Sequence, residues 1–424
     1  MTRTLFTNVS ILDCTGAEPY SGEVLVEDNR ISTVAKGGGI SRDGAEVVDG
    51  GGGTLMPGLI ESHAHVTFLD TPSIEALGEV PPEEHTIRAI KNAETFMNQG
   101  FTSLCSAASA KPRLDVVLRN AISAGDIIGP RMLAASPELT VTGGLGDIRM
   151  QHMHRDTFAI VCDGAEQFRQ VAREMCREGV DTLKINPSGD EFVPHARAHH
   201  TVMTEAEIEA VCEVGLSRDK RIASHCRSAK SVKLSLKHGA TLIYHATLCD
   251  EEALDMLEEA KDRVFVAPTL GVTWTTMHEA EAWGITYELT ERLGMPAEWD
   301  AAVANMKELH RRGVRVMPGG DYGFAWNPIG ANARDIQYFV EHLGFTPMYS
   351  IMSATKLGGE IMMMGDELGQ IQEGYLADIL VVDGDPLKDV SILRDRERLR
   401  LIMKDGKAHK NELGHASADR VAAE

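Results

Sequence analysis

Positive charge is scarce in this chain. Its 424 residues include 42 Lys and Arg against 63 Asp and Glu, which gives a net charge of −21 with histidine neutral. Nucleic acids and anionic membranes bind proteins through Lys and Arg that neutralise phosphates, so this excess of acid argues against both as partners. We therefore expect no nucleic acid and no membrane. The net charge says little about the substrate, which we expect to be a small molecule on the grounds given below.

Paired cysteines and long apolar runs are missing as well. The seven cysteines are scattered and odd in number, with no Cys-x-x-Cys pair, a usage typical of reduced thiols. No apolar run reaches the roughly 20 residues that span a bilayer. Residues 1–5 lead straight into a strand-like segment, so we expect no signal peptide. Together these absences predict a cytoplasmic protein.

What the chain does contain is a His-x-His motif at the end of an apolar segment. Residues 55–60 are apolar, and His63 and His65 follow them. In an extended strand, side chains two positions apart point to the same face, so both imidazoles leave the strand together, as a metal site needs. Alone the motif is weak evidence, because a solvated or hydrogen-bonded histidine pair gives the same pattern.

Four more residues of metal-ligand type each close an apolar segment that is predicted to be a strand. They are Lys184, His225, His245 and Asp321. Each has an ordinary explanation on its own: a surface histidine, a solvated lysine, or an aspartate in a Gly-Gly-Asp turn. Coincidence does not explain the order His-x-His, Lys, His, His, Asp, always at a strand end. The pattern predicts that all six side chains share one site.

The predicted strands alternate with helices. Thr204 begins a helix with a capping box, and the strand that ends at His225 follows it. Residues 229–237 form the next predicted helix, and Gly239 stops it before another strand. Such alternation indicates parallel βα units, and residues 58–359 hold enough of them for an eight-stranded (β/α)8 TIM barrel, which typically needs roughly 250 residues. Active sites of such barrels lie at the carboxyl ends of the strands, where all six candidates stand.

Both ends of the chain read as short strands with turns between them. Residues 5–13 and 399–406 show this pattern, and Asp-Gly sequences supply the turn signals. We predict one small β-domain built from residues 1–57 plus 360–424, which flanks the barrel of residues 58–359. The alternative is that these strands only decorate the barrel.

Two longer motifs complete a specific set. They are residues 56–65, Met-Pro-Gly-Leu-Ile-Glu-Ser-His-Ala-His, and the closing stretch 365–382. Together with Leu183-Lys184-Ile185, the two later histidines and the aspartate, they resemble the amidohydrolase superfamily, and within it the imidazolonepropionase-like and Xaa-Pro dipeptidase branch. The resemblance covers nearly the whole chain. It implies a (β/α)8 TIM barrel with a flanking β-sandwich, a centre of one or two metals, and a homo-oligomer.

The resemblance also implies a role for each candidate ligand. The implied metal ligands are His63, His65, Lys184, His225, His245 and Asp321. The His-x-His pair and the aspartate would hold the more buried metal, and the two later histidines would hold the second. Lys184, carboxylated on its amine by carbon dioxide, would bridge the two. A free lysine is a cation that cannot ligate and is costly to bury, which favours a modified or coordinated side chain.

The implied ligand set predicts a reaction. Nitrogen and oxygen donors without thiolate fit two zinc ions, with manganese or cobalt as alternatives. A metal-activated hydroxide would attack a carbonyl, and Asp321 would shuttle its proton to the leaving nitrogen. We expect hydrolysis of an amide-type C–N bond in an N-acyl amino acid, a dipeptide, a carbamate or an aryl urea.

Two other classes of function remain to be weighed. One is a cyclic-amide hydrolase or a deaminase of the same superfamily. Deaminase relatives usually keep a single metal and lack the bridging lysine, so Lys184 speaks against them. The other is a non-catalytic scaffold on the same fold, which is expected to lose ligands, and none is lost here.

Positions around the expected centre depart from the dipeptidase pattern. Leu145 stands where the dipeptidases have a histidine after Gly-Gly, and His152 and His154 either replace it or are plain loop residues. Arg227 stands where they have a tyrosine two residues after the first of the later histidines. It is expected to act in catalysis, by binding a substrate carboxylate or the developing oxyanion, or else to pair with a loop carboxylate such as Asp250.

Aromatic residues in the predicted βα loops are candidates for lining an apolar pocket. Tyr322 follows the expected aspartate ligand, and Trp274 and Trp326 lie in neighbouring loops. Plain packing is the alternative explanation for all three.

Overall fold

Eighteen strands and thirteen α-helices make up residues 2–413, which this computed structural model describes. The strands are β1 (Arg3–Ile11), β2 (Tyr20–Glu27), β3 (Arg30–Lys36), β4 (Glu46–Asp49), β5 (Thr54–Pro57), β6 (Leu59–Ala64), β7 (Phe101–Ser106), β8 (Arg131–Leu133), β9 (Ala135–Thr140), β10 (Ile160–Val161), β11 (Thr182–Ile185), β12 (Arg221–Ser228), β13 (Leu242–Leu248), β14 (Phe265–Ala267), β15 (Arg315–Val316), β16 (Ile379–Val382), β17 (Leu399–Lys404) and β18 (Lys407–Asn411). Met1 and residues 414–424, which the sequence assigned to the terminal β-domain, lie outside the described residues.

The helices fill the connections between strands. They are α1 (Glu75–Glu79), α2 (Pro82–Asn98), α3 (Leu114–Ala124), α4 (Ala165–Glu178), α5 (Glu205–Leu216), α6 (Ala229–Lys237), α7 (Glu251–Glu259), α8 (Leu270–His278), α9 (Tyr287–Leu293), α10 (Met295–Arg311), α11 (Arg334–Glu341), α12 (Pro347–Ser353) and α13 (Lys356–Ile361), with short 3-10 helices at Glu281–Trp283 and Val390–Arg394. Helix α6 has the bounds that the sequence predicts, because its first turn is capped: the Ser228 hydroxyl accepts from the Ser231 amide. Asp250 caps α7 in the same way.

The first compact unit comprises residues 2–60, 95–103 and 345–413 of the described chain. Both ends of the chain contribute to one eight-stranded sheet in the order β18-β17-β16-β5-β1-β2-β3, with β4 paired to β1. Its apolar face buries a single cluster that includes Phe6, Val26, Leu55, Val381 and Leu401. The predicted β-domain from both termini is therefore present. It consists of one mixed sheet, where the resemblance implied a sandwich of two.

The second compact unit comprises residues 61–94 and 104–344. The domain boundaries proposed from the sequence, 58 and 359, stay a prediction; the second unit ends at residue 344, and residues 95–103 belong to the first. A seven-stranded sheet in the order β10-β9-β11-β12-β13-β14-β15 is parallel throughout, and a shorter sheet follows the order β6-β7-β8. Strands separated by helices pair in parallel because each helical crossover returns the chain to the end of the sheet where the previous strand began. The predicted βα units are thus confirmed.

The expected closed barrel is not present as one continuous ladder among the described residues. Strand β15 has only two residues, and Pro318, shortly after it, has no N–H to donate to a neighbouring strand. The two sheets are joined by isolated bonds instead. The Ser62 hydroxyl donates to the Pro318 carbonyl at 2.5 Å, and the Ser109 amide donates to the Ser136 carbonyl at 3.0 Å.

Candidate metal centre

His63, His65 and Asp321 converge at the carboxyl ends of β6 and β15. The Nε2 atoms of the two histidines lie 3.2 Å apart, and Asp321 Oδ1 lies 3.0 Å from His65 Nε2 and 3.7 Å from His63 Nε2. The two histidines are buried, and 17% of the aspartate side chain is exposed. The chain reaches this geometry through close approach: a Cβ on Gly319 would lie 2.7 Å from the His63 Cβ, so only glycine fits there.

The buried hydrogen bonds of His65 and His245 determine which ring nitrogen is free. His65 Nδ1 lies 3.3 Å from the Ala108 carbonyl, which can only accept, so Nδ1 carries the proton and Nε2 keeps its lone pair. His245 Nδ1 lies 2.6 Å from the Thr269 hydroxyl, whose own proton goes to the Pro268 carbonyl. His245 Nε2 is therefore also a lone-pair nitrogen, and it is buried without a hydrogen-bond partner among the described residues.

His225 differs from His65 and His245 in which ring nitrogen keeps the lone pair. Its Nε2 lies 3.1 Å from the Gly189 carbonyl and must donate to it, which leaves Nδ1 with the lone pair. The rings of His225 and His245 lie 4.2 Å apart, and those of His63 and His245 lie 5.7 Å apart. The structure therefore brings all four histidines around one point.

A departure from strand geometry aims His245 at this point. Side chains alternate along a strand, so Tyr244 and His245 should face opposite sides. Yet the Tyr244 ring packs 3.9 Å from the His63 ring, while His245 contacts His225. A positive φ of 74° at His245 makes this possible, and Asp321 has a φ of 57°. Such backbone costs of order 1–3 kcal/mol per residue and tends to occur at functional sites.

Lys184 lies in the same group of side chains. It is buried, and its Nζ stands 4.8 Å from the centre of the Tyr244 ring. The strand register pairs it with Glu138 on the neighbouring β9. Burial lowers the pKa of the Lys184 amine, against the opposing charges of Glu138 and Asp321. A less basic amine is the form that can react with carbon dioxide or ligate a metal.

Burial also sets the charge of the histidines. It lowers the pKa of His63 and of His245 well below the ordinary value. The pKa of His225 falls to about 3, chiefly through burial and then through the positive charge of Arg227. Neutral imidazole is the form that binds metals.

The donor set fits a divalent metal. The lone-pair Nε2 of His65, the Nε2 of His63 and an oxygen of Asp321 lie within 3.7 Å of one another, a grouping of ligand-type atoms that suits a cation between them. The buried, unpartnered Nε2 of His245 points to the same need, since such an atom costs free energy unless it is satisfied. His63, His65 and Asp321 would hold one ion, and His225, His245 and Lys184 offer donors for another.

A cavity of about 410 Å³ opens above these groups. Its floor consists of the six predicted ligands, with Glu138, Asp190, Glu191 and Arg227 beside them. Its walls are apolar and largely aromatic: they include Phe68, Phe158, Phe192, Phe324 and Trp326. The cavity thus offers polar chemistry at the bottom and a hydrophobic path to it.

Arg227 lies at the cavity floor, paired with two acids. Its Nε donates to Asp190 Oδ2 at 2.9 Å, and its Nη1 lies 2.8 Å from Glu191 Oε1. The alternative pairing with Asp250 does not occur, because Asp250 contacts Lys233. The carboxylates come from the loop after β11, directly beside the arginine on β12.

The remaining predicted pocket residues divide into two groups. Trp326 lines the cavity and donates its indole N–H to the Thr276 hydroxyl. His154 is exposed on its loop and does not line the cavity, and neither does His152. Tyr322 is buried and donates to Asp335, and Trp274 packs against Trp299 and His342. Tyr322 and Trp274 therefore pack inside the fold and do not line the cavity.

Among the residues that the sequence analysis missed are three acids of the cavity lining, Glu138, Asp190 and Glu191, and the buried Tyr244 beside His63. The first three had a usable signal, since they lie at or just after the carboxyl ends of β9 and β11, where barrel sites are built. Tyr244 had none. It precedes a predicted ligand in a strand, and strict alternation assigns it to the opposite face.

Thr269 contacts the predicted ligand His245 but is not itself a ligand, so its substitution tests the metal site. We expect Thr269→Val to weaken metal affinity by about 10–100-fold, because His245 loses the acceptor that fixes its tautomer. Thr269→Ser keeps the hydroxyl and is the matched control. Titration of the metal-free variants with zinc measures the effect, and equal affinities in both variants would contradict the assigned role.

Two buried carboxylates lie next to the segments that carry His63 and Asp321. Glu61 accepts from the His63 amide at 3.1 Å and from Asn332 Nδ2 at 2.8 Å. Asp335 accepts from the Tyr322 hydroxyl at 3.0 Å and the Gly319 amide at 3.3 Å. Burial raises the pKa of Asp335 to about 7 despite these bonds. The carboxylates position both segments that carry ligands.

The raised pKa of Asp335 predicts a pH effect on stability. Between about pH 4 and pH 7 the folded chain keeps a proton that the unfolded chain has released, so this group's contribution falls as the pH rises through that window. Asp335→Asn removes the titration. We expect the variant's free energy of unfolding, relative to wild type, to increase by roughly 2–4 kcal/mol from pH 5 to pH 8. Urea denaturation at both pH values measures it, and a constant difference would contradict the prediction.

Comparison with known proteins adds an independent line of evidence. A model of the amidohydrolase family matches residues 54–409. Ochratoxinase of Aspergillus niger is 23% identical over 378 residues, which cover 84% of this chain and 75% of that protein. Imidazolonepropionase of Rubrobacter xylanophilus is 21% identical over 406 residues, covering 90% and 89%. A prolidase crystallised with N-methylphosphonate-L-proline has a TM-score of 0.86 and 25% identity, covering 97% of this chain and 100% of that one.

Proposed function

We propose a mechanism and a substrate class for this chain, which belongs to the amidohydrolase family and is a hydrolytic enzyme acting on C–N bonds. Its relatives confirm the imidazolonepropionase-like and prolidase branch that the motifs indicated. One observation carries the proposal: histidine nitrogens with fixed lone pairs and the Asp321 carboxylate face one point at the floor of a hydrophobic cavity.

Asp321 is the group that moves protons in this proposal. A divalent metal, when bound, lowers the pKa of a water molecule and polarises the carbonyl of the substrate. Asp321 accepts the proton of the attacking water and delivers it to the nitrogen that leaves. Its Oδ1 is suited to this, because it stands at the ligand cluster and its side chain keeps some access to the cavity. Protonation is required because an amide anion is a very poor leaving group.

The metal content belongs to the proposal as well. We assign two divalent ions, zinc before manganese or cobalt, because the donors are imidazole and oxygen without thiolate. Lys184, carboxylated on its amine, would supply oxygen donors to both. The supporting observations are its burial, the direction of its pKa and its place among the four histidines.

We also propose how strands β6 to β15 are arranged. We propose that eight of the parallel strands, from β6 to β15, form a (β/α)8 barrel whose ladder is interrupted at two points, where the Ser62 and Ser109 bonds connect the sheets. Among residues 2–413, no helix is long and apolar enough to cross a membrane. A cytoplasmic location and a homo-oligomer stay predictions from the sequence.

One experiment tests the function. Metal analysis of the purified protein should find about two divalent ions per chain. The loaded protein is then screened against N-acyl amino acids, Xaa-Pro dipeptides, carbamates and N-aryl ureas. Activity should vanish on chelation and return with zinc. Hydrolysis that persists in chelated protein, or none from fully loaded protein, would contradict the proposal.

A further inference from the structure

The cavity floor holds more acid than base once the six ligands are set aside. Glu138, Asp190 and Glu191 face the cavity there with Arg227, and Glu75 lies higher in the lining. Three carboxylates thus accompany one guanidinium. In an enclosed space such charges are poorly screened, so, together with the metal ions that the six ligands would hold, they act strongly on any charged group that a substrate brings.

The positive charge of Arg227 is already balanced by the acids beside it. Arg227 is 5% exposed, and its two acidic partners are also largely buried, at 15% for Asp190 and 2% for Glu191. Burial raises the pKa of Glu191, while the positive charge of Arg227 opposes the shift. With Glu191 protonated the cluster is neutral, and with Glu191 ionised it is negative. In neither state does it offer the net positive charge that would hold a substrate carboxylate.

Glu138 adds an acid on the other side of the floor. It lies opposite Lys184 in the strand register, and its Oε2 accepts from Asn186 Nδ2 at 2.8 Å. Asn186 also donates to the Leu145 carbonyl, so the carboxylate is held in place by the loop that follows β9. Burial raises the pKa of Glu138, and the positive charge of Lys184 opposes that shift. In its ionised form this carboxylate repels an anionic substrate group in the same space.

Among the described residues, the aromatic part of the cavity lining adds no basic side chain that would offset this repulsion. Phe68 and Phe158 meet edge to face at 5.8 Å, and Phe324 stacks on Trp326 at 5.5 Å. These rings continue to Ile285, Leu289 and Met295. Such walls favour flat, apolar substituents on both sides of the reacting bond.

We propose that the Asp190–Arg227–Glu191 cluster and Glu138 select an uncharged aromatic amide, carbamate or urea and reject substrates with a carboxylate beside the scissile bond. The inference rests on the proposed function and narrows it, because it removes N-acyl amino acids and dipeptides from the candidate substrates. Arg227 serves in it as an internal counter-ion that orients the two acids.

A matched pair of substrates tests the selection. N-benzoyl-L-phenylalanine and N-benzoyl-2-phenylethylamine differ only in the carboxylate. We expect kcat/KM of the zinc-loaded enzyme to be at least 10²-fold higher for the neutral compound, about what roughly 3 kcal/mol of discrimination produces. An equal or higher value for the acid would overturn the proposal.

Binding distinguishes this proposal from the proposed function. Calorimetric titration of the zinc-loaded protein with the same pair should show tighter binding of the neutral compound even where neither is hydrolysed. Absence of turnover in fully loaded protein contradicts the proposed function, whereas tighter binding of the acid overturns the selection.

Variants that remove one negative charge test whether these acids cause the preference for the neutral substrate. Asp190→Asn removes the acid of the cluster that Arg227 keeps ionised against the effect of burial, so the ratio of kcat/KM values should move toward the acidic substrate by about tenfold. A merely structural role would lower both values and leave the ratio unchanged. Exposed Glu83→Gln is the matched control. Glu138→Gln should move the ratio in the same direction, and an unchanged ratio in both cavity variants would overturn the proposal.

Discussion

Asp321→Asn is expected to reduce turnover by about 10²–10⁴-fold, the usual size of general acid–base help. The amide has the shape of the carboxylate and can still offer an oxygen to a metal, but it cannot take up a proton at any working pH. Activity on the true substrate, at saturating concentration, measures the effect. Metal content should fall far less than activity.

The control for this variant is Asp300→Asn, which makes the same chemical change on the exposed face of α10. It should leave turnover within the error of wild type. Near-full activity of Asp321→Asn would show that another group shuttles the proton. An equal loss of metal and activity would show that the aspartate acts only as a ligand.

Lys184→Met should reduce turnover by about 10³-fold or more, that is by roughly 4 kcal/mol in the barrier. Methionine fills a similar volume and is acceptable in the buried space around Tyr244, so the fold should persist. It can neither be carboxylated nor bridge two metals. Metal analysis should therefore find about one ion per chain fewer than in wild type.

Lys307→Met, on the exposed surface of α10, is the matched control for the loss of a lysine charge. Mass spectrometry under conditions that preserve carbamates should detect the addition of one carbon dioxide in wild type and none in Lys184→Met. Two ions per chain in the lysine variant, or full activity, would refute the bridging role.

Much of the ligand set could be predicted because its signals are local. His63 and His65 share a face through the two-residue period of a strand, and that geometry does not depend on the rest of the chain. The bounds of helix α6 could be read from a few neighbouring residues for the same reason. Alternation of strands and helices then implied that the strand ends meet at one edge.

The closure of the barrel could not be predicted in this way. Whether two edges pair depends on the strand lengths and on single residues such as Pro318, which interrupts the ladder beside a two-residue strand. The terminal β-domain shows the same limit. Its strands were visible in the sequence, but their arrangement in one mixed sheet follows from long-range pairing, for example of β5 with β16.

The sequence by itself determined which residues are candidate ligands and that they stand at strand ends, since short-range periodicity controls both. Only the tertiary structure decided how those residues are used. It aimed His245 inward through a positive φ, placed Tyr244 beside Lys184, and enclosed Arg227 between Asp190 and Glu191. The physical reason is that charge pairing and backbone strain depend on which side chains meet across strands, and contacts between residues far apart in the chain leave no local pattern.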